Sequence, residues 1–166
     1  GQRAVFKDVV SQVLNRINTI TGRRYMDEYA ILAWELGNEL HDVLFEQTKV
    51  FAPPREWTQD LATHIKTIDS NHLVIDGGLF SVPSLDVLGI DAVGSTFYGR
   101  PASALEEEVV VVEEWNRVAS AEQQKVYLVK EFGLIEQKAD IPVQNMLWVN
   151  AMLDVTKRYG VVAGAM

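Results

Sequence analysis

The sequence predicts an α/β fold built from parallel β/α units, and three observations point to it. Amphipathic stretches at helical spacing alternate along the chain with short runs of strand length. Those runs are almost continuously apolar, as in parallel strands covered on both faces, rather than alternating in and out. Gly and Pro punctuate the joints: Gly22, Gly77-Gly78 and Gly160 close elements, while Pro53-Pro54 and Pro142 open them. Helices and strands therefore take turns, which is the order of β/α units.

Residues 3 to 20 read as an amphipathic helix, with Phe6, Val9, Val10, Val13, Ile17 and Ile20 at helical spacing and Gly22 at its end. Residues 30 to 36 form the first apolar strand. Pro53 and Pro54 start the next helix, which carries Trp57, Leu61, Ile65 and Ile68 on one face. Residues 72 to 76 are a strand closed by Gly77-Gly78, and residues 79 to 89 are a loop with one helical turn around Ser84 to Leu88. Residues 90 to 97 read as a strand. Residues 103 to 120 read as a helix with Leu105, Val109, Val112 and Trp115, although the run from Val109 to Val112 also suits a strand. Residues 125 to 130 are a strand, a helix runs from Pro142 to Tyr159, and residues 161 to 165 begin one more strand.

Five strands emerge. A closed (β/α)8 barrel has eight and about 250 residues, so a chain of 166 residues is either the later part of such a barrel or a small open α/β sheet. By length it is one domain, residues 1 to 166. With 48% hydrophobic and 23% charged residues, its composition is that of an ordinary globular protein. A formal charge of -8 argues against nucleic acid and against anionic membranes as partners, because both call for a basic face. The chain has no cysteine, which excludes disulfides and thiolate metal sites. No signal peptide opens it, its first residue is Gly rather than Met, and no apolar run approaches the roughly 20 residues of a membrane span.

Two acids stand out against this scaffold. Glu39 ends the string Ala33-Trp34-Glu35-Leu36-Gly37-Asn38-Glu39, and Glu131 ends Val129-Lys130-Glu131-Phe132-Gly133. Each follows an apolar strand, and the exit ends of parallel strands form the active-site mouth of a barrel. Two carboxylates there suit a retaining glycoside hydrolase: one protonates the leaving oxygen, the other attacks the anomeric carbon. An isolated Asn-Glu pair is commonly a loop or helix cap, and Glu-Phe-Gly alone is an ordinary loop sequence. The strand context and the spacing, which leaves room for three β/α steps between the two acids, carry the functional reading.

Trp34-Glu35-Leu36-Gly37-Asn38-Glu39 resembles the acid/base motif of glycoside hydrolase family 5, most of all the endo-β-1,4-mannanases of fungi and plants. Supporting matches are Ile68-Asp69-Ser70-Asn71-His72-Leu73-Val74, Tyr98, and Glu131-Phe132-Gly133. The resemblance covers essentially the whole chain. It implies a partial (β/α)8 TIM barrel comprising about strands 4 to 8 and lacking the first three β/α units, with the two acids on strands 4 and 7. It also implies that Glu39 is the acid/base, Glu131 the nucleophile, Asn38 a ligand of the sugar 2-hydroxyl, and Tyr98 a donor to the nucleophile. No cofactor is called for. The implied substrate is a β-1,4-linked polysaccharide or oligosaccharide, mannan ahead of glucan, and the implied location is outside the cell. Two residues depart from the family pattern: Thr96 stands where a His is usual, and Leu40 where a Pro is usual.

His41 follows the acid/base and is a candidate for lining a sugar subsite. His72 reads as a local hydrogen-bonding residue and His64 as solvated. The three histidines lack the i, i+4 spacing of a helical zinc site, so no metal centre is expected. Glu35 reads as an interior structural acid, the four tryptophans as core or helix-face residues, and Glu106, Glu107, Glu108, Glu113 and Glu114 as a solvated helix face. A different class of function stays open beside the enzyme: a non-catalytic partial barrel that binds carbohydrate or self-associates. Exposed parallel edges invite pairing, so a homodimer or a complementing barrel segment is the protein partner to look for.

Overall fold

The computed structural model describes residues 1–40, 53–80, 82–133, 141–160 and 162–165. Helix α1 spans Gln2–Leu14, strand β1 Ala33–Glu35, helix α2 Arg55–Ile68 and strand β2 Leu73–Ile75. Strand β3 spans Ala92–Tyr98, helix α3 Ser103–Val118, strand β4 Val126–Gly133, helix α4 Ile141–Arg158 and strand β5 Val162–Ala165. The five strands form one sheet in chain order, and every pairing is parallel. The order of elements is the predicted one.

Strand residues alternate between two apolar layers. Val74, Val93, Phe97, Tyr127 and Val129 pack with Leu61 and Ile65 of α2, Leu105, Val109 and Val112 of α3, and Trp148 and Val155 of α4. Their neighbours Ile75, Ala92 and Leu128 face the other way and form a small cluster with Ala33 and Val126, made of strand residues alone. Helices thus cover one face, and the opposite face is lined by the sheet itself. This two-sided burial accounts for the continuous apolar runs in the sequence.

Helix α1 is shorter than its periodicity predicts. It ends at Leu14, and the chain then turns back so that Ile17 bridges Arg24 in antiparallel fashion. The Asn18 side chain accepts the Ile20 amide at 2.9 Å, and Gly22 holds φ +72° to close the turn. An Asn that bonds its own backbone competes with helix here. Val5, Phe6, Val9 and Val13 remain exposed along α1, while Leu14 is buried. An apolar cavity of about 150 Å³ between α1, β1 and α2 is lined by Val9, Val10, Val13, Trp34, Leu36 and Leu61.

Two side chains differ from the sequence reading. His64 is not solvated: its Nε2 lies 2.9 Å from the Ser11 hydroxyl and 3.1 Å from the Lys7 carbonyl, joining α2 to α1. Glu108 is not on a solvated face. It is buried, and its carboxylate accepts from Ser95, Tyr127 and Arg100. A helical period cannot distinguish an inward carboxylate from its outward neighbours when the partners lie on other elements. His72 behaves as read, bonded to Asp69, and Trp34 packs against the core as read while its indole N–H also donates to Asp69.

Candidate active site

The sheet brings Glu131 and Tyr98 together. β3 and β4 pair from end to end apart from one unpaired residue, Lys130, with Thr96 opposite Glu131 and Tyr98 opposite Gly133. The Tyr98 hydroxyl is pushed above its usual titration range, first by its hydrogen bond to the Glu131 carboxylate and then by that carboxylate's charge, with partial desolvation and the charge of Glu39 adding to it. One phenol therefore senses both acids. Gly133 makes room for this arrangement, since a Cβ there would stand 3.0 Å from the Tyr98 ring. Behind the strands, Trp148 of α4 stacks on Phe97 and Phe132 with ring centroids 4.9 and 5.9 Å apart.

Glu39 is held differently. It lies beyond the end of β1 with φ +50°, a left-handed conformation uncommon for a residue with a Cβ. Its neighbours fix that geometry. The Leu40 amide donates to the Gly77 carbonyl at 2.9 Å, and Leu40 bridges Gly78 in parallel, extending the sheet past β2. Gly77 sits at φ +71° with its α-carbon pressed against the Gly37 backbone, so a Cβ there would fall 2.3 Å from the Gly37 oxygen. The Gly77-Gly78 pair thus does more than close β2: it seats the loop that carries Asn38 and Glu39. Asn38 is exposed and Glu39 half-buried. His41 lies outside the described residues.

Below the two acids the sheet carries a buried polar layer that the sequence did not signal as functional. Lys130 is buried, and its ammonium donates to the Glu35 carboxylate at 3.2 Å and to the Gly78 carbonyl at 2.5 Å. Asp76 is fully buried, and its oxygens find no well-formed hydrogen bond among the described residues. Burial pushes its carboxyl up to about 7, against the lowering pull of the Lys130 charge, Ser84 and the Gly78 and Gly94 amides. Thr96, in the place of the family's His, is buried with its hydroxyl unpartnered among the described residues.

Residues 2–87 match the model of the GH family 5 beta-mannosidase-like family. The chain belongs to that family. Among curated proteins it is similar to mannan endo-1,4-beta-mannosidase 1 of Arabidopsis thaliana, 41% identical over 69 residues, which is 42% of this chain and 16% of that protein. It is also similar to mannan endo-1,4-beta-mannosidase 4 of Oryza sativa, 36% identical over 80 residues, covering 45% and 16%. Its fold matches the endo-1,4-beta-D-mannanase of Thermotoga petrophila with a TM-score of 0.72 at 23% identity, over 99% of this chain and 52% of that one. The endo-1,4-beta-mannanase of Rhizomucor miehei matches at 0.73 and 21% identity, over 98% and 51%. The chain therefore spans about half the length of these solved structures, and the matched stretches are a sixth of the two curated relatives. The architecture of this family 5 chain is part of a (β/α)8 barrel. Among the described residues, no helix is long and apolar enough to cross a membrane.

Proposed function

We propose that this chain carries the working carboxylate pair of a retaining endo-β-1,4-glycosidase that cleaves mannan-type polysaccharide. The observation that carries the reading is the hydrogen bond of Tyr98 to Glu131 across the paired strands β3 and β4, with Glu39 seated beyond β1 against the Gly77-Gly78 turn. Glu131 is the nucleophile: its carboxylate attacks the anomeric carbon and forms a glycosyl ester while the glycosidic oxygen leaves. Glu39 protonates that oxygen, then takes a proton from the water that hydrolyses the ester. Tyr98 donates to Glu131 and orients its carboxylate. Asn38 binds the sugar 2-hydroxyl, and His41 lines an adjoining subsite. The chemistry calls for no cofactor. Residues 1–166 form one glycoside-hydrolase-like domain. The polymer substrate places the enzyme outside the cell.

Reducing-sugar release from soluble β-mannan and β-glucan tests the reading, with Glu39→Gln and Glu131→Ala as controls. Release from mannan that both substitutions abolish, with products first appearing in the β-anomeric form, is the expected result. No release by the folded chain overturns autonomous hydrolysis.

A second reading, a partial barrel that binds sugar or assembles without cleaving, is favoured by one observation. β1 and β5 are the outer strands of the sheet, and exposed apolar residues flank both: Phe6, Val9 and Val13 on α1, and Met146, Leu147 and Leu153 on α4. Such edges and faces recruit partners. The occupant proposed is a complementing β/α segment, because the solved relatives are about twice as long. Molar mass by sedimentation across a concentration series separates this from self-association: a dimer identifies a second copy as the occupant, and a monomer that gains mass only with an added N-terminal half-barrel identifies the segment.

A further inference from the structure

The β3–β4 register slips once, between Ser95 and Thr96. Ser95 pairs with Val129, but Thr96 pairs with Glu131, so Lys130 is the extra residue of a β-bulge. Bulges re-aim side chains and are frequent beside active sites. Here the bulge lays Lys130 across the helix-free face of the sheet. Its stem crosses β3 at Gly94, where a Cβ would stand 2.8 Å from the Lys130 Cγ and 3.1 Å from its Cδ. That glycine is a slot for this lysine. The ammonium then reaches the Gly78 carbonyl beyond β2 and the Glu35 carboxylate on β1.

Both anchors lead to the loop that carries Glu39. Glu35 ends β1, the strand from which that loop departs. Gly78 bridges Leu40, the residue directly after Glu39, and its neighbour Gly77 is pressed against Gly37. Lys130 is itself the residue directly before Glu131. A single buried cation therefore connects the strand of one acid to both flanks of the other. Strands β1, β3 and β4 and the turn after β2 each supply part of this arrangement, through Glu35, Gly94, Lys130 and Gly78.

We propose that Lys130 is the positioning residue of the site: its ammonium, clamped between Glu35 and the Gly78 carbonyl and threaded past Gly94, sets the separation of Glu39 and Glu131. The proposal rests on the reading of those two acids as the working pair. Lys130 touches no substrate. It acts by fixing how far apart two charges sit, and displacing a reacting group by about 1 Å costs up to ~100-fold in rate.

Two variants and two readouts test it. Lys130→Met keeps the stem and removes the charge. Glu35→Gln leaves the buried lysine in place and weakens one anchor, and since Glu35 is exposed this variant folds even if the first does not. The Leu40 amide, which donates to the Gly77 carbonyl beside the lysine's anchor at Gly78, is followed by hydrogen exchange against the β3–β4 ladder amides in the wild-type chain and in each variant. Loss of the clamp should speed exchange at Leu40 by on the order of 10-fold in Lys130→Met and by less in Glu35→Gln, with the ladder unchanged. A merely structural lysine would lower the melting temperature and speed the Leu40 and ladder amides alike, as Val155→Ala should. On soluble β-mannan, Lys130→Met is expected to lower kcat by at least ~10-fold with KM changed by less than about twofold. Leu40 exchange that rises no more than the ladder's in a folded Lys130→Met, or in Glu35→Gln if Lys130→Met does not fold, overturns the proposal. If the wild-type chain releases no sugar, the hydrolytic reading fails, while the Leu40 exchange still decides whether Lys130 holds the loop of Glu39.

Discussion

Glu131 and Glu39 are positioned by opposite means. Glu131 lies inside a strand of eight residues that is paired with β3 and backed by the Phe97, Trp148 and Phe132 rings. Glu39 lies beyond a strand of three residues, in a left-handed conformation, seated by backbone contacts with the Gly77-Gly78 turn. The first acid is placed by side-chain packing and sheet register, the second by close backbone approach. The two ends should therefore fail in different ways: the Glu131 end through loss of core, and the Glu39 end through a single added methyl group. In the function proposed, the nucleophile has the stiffer setting and the acid/base the closely held loop.

The largest effect should come from the packed end. Trp148→Ala removes a buried indole from between two phenyl rings, and a core aromatic lost in this way costs about 3–5 kcal/mol. Chemical denaturation measures it. A loss below ~1 kcal/mol would mean that Glu131 does not depend on the aromatic backing. Next comes the layer between the two ends. Asp76 has its carboxyl raised to about 7 by burial, so the folded protein holds a proton that the unfolded chain releases near pH 4. Its contribution to stability is full below about pH 4 and is lost as the pH rises through 7, an effect on the order of a few kcal/mol. Asp76→Asn should flatten this fall. The difference between wild-type and variant denaturation midpoints from pH 4 to 8 isolates it, and parallel curves would show that Asp76 ionises without penalty.

Gly77→Ala tests the backbone-held end. It places a Cβ at φ +71° and 2.3 Å from the Gly37 oxygen, so the loop of Glu39 must move, at a cost of about 2 kcal/mol. Hydrogen exchange locates the damage. Faster exchange at the Leu40 amide with the β3–β4 ladder unchanged is expected, and equal loosening of both ends would erase the distinction between them.

The same contrast governs what the sequence shows. Apolar runs and helical periods are local, so the order of strands and helices and the placing of Glu39 beyond a strand were legible from the residues, whereas β4 runs on past its expected end at Lys130 through Glu131 to Gly133. Lys130 was not, because its partners Glu35 and Gly78 lie 95 and 52 residues away. Its bulge is defined only against the facing strand. Glu108 was misread for the same reason: a solvated glutamate and one that collects Ser95, Tyr127 and Arg100 look alike on a helix. The family motif names Glu39 without showing its left-handed backbone, which depends on the approach of Gly37 to Gly77 across two strands.

The finest test of the two ends is the phenol that senses them both. Tyr98 should titrate above the ordinary tyrosine range, mainly through its hydrogen bond to Glu131 and that residue's charge, with Glu39 contributing least. Glu131→Gln should bring the phenol back toward 10, and Glu39→Gln should lower it by less; tyrosine-ring NMR above pH 9 reads both. The linked stability effect has a definite sign. A phenol whose folded pKa is raised contributes below the unfolded value near 10, and that contribution disappears as the pH rises through the raised value. Tyr98→Phe should therefore remove the extra alkaline sensitivity while leaving neutral-pH stability nearly unchanged, because the ring is partly exposed. Equal responses to the two glutamine variants would mean that Tyr98 is shared evenly between the acids. No response to Glu39→Gln would place Glu39 outside the mouth, leaving Glu131 without its partner.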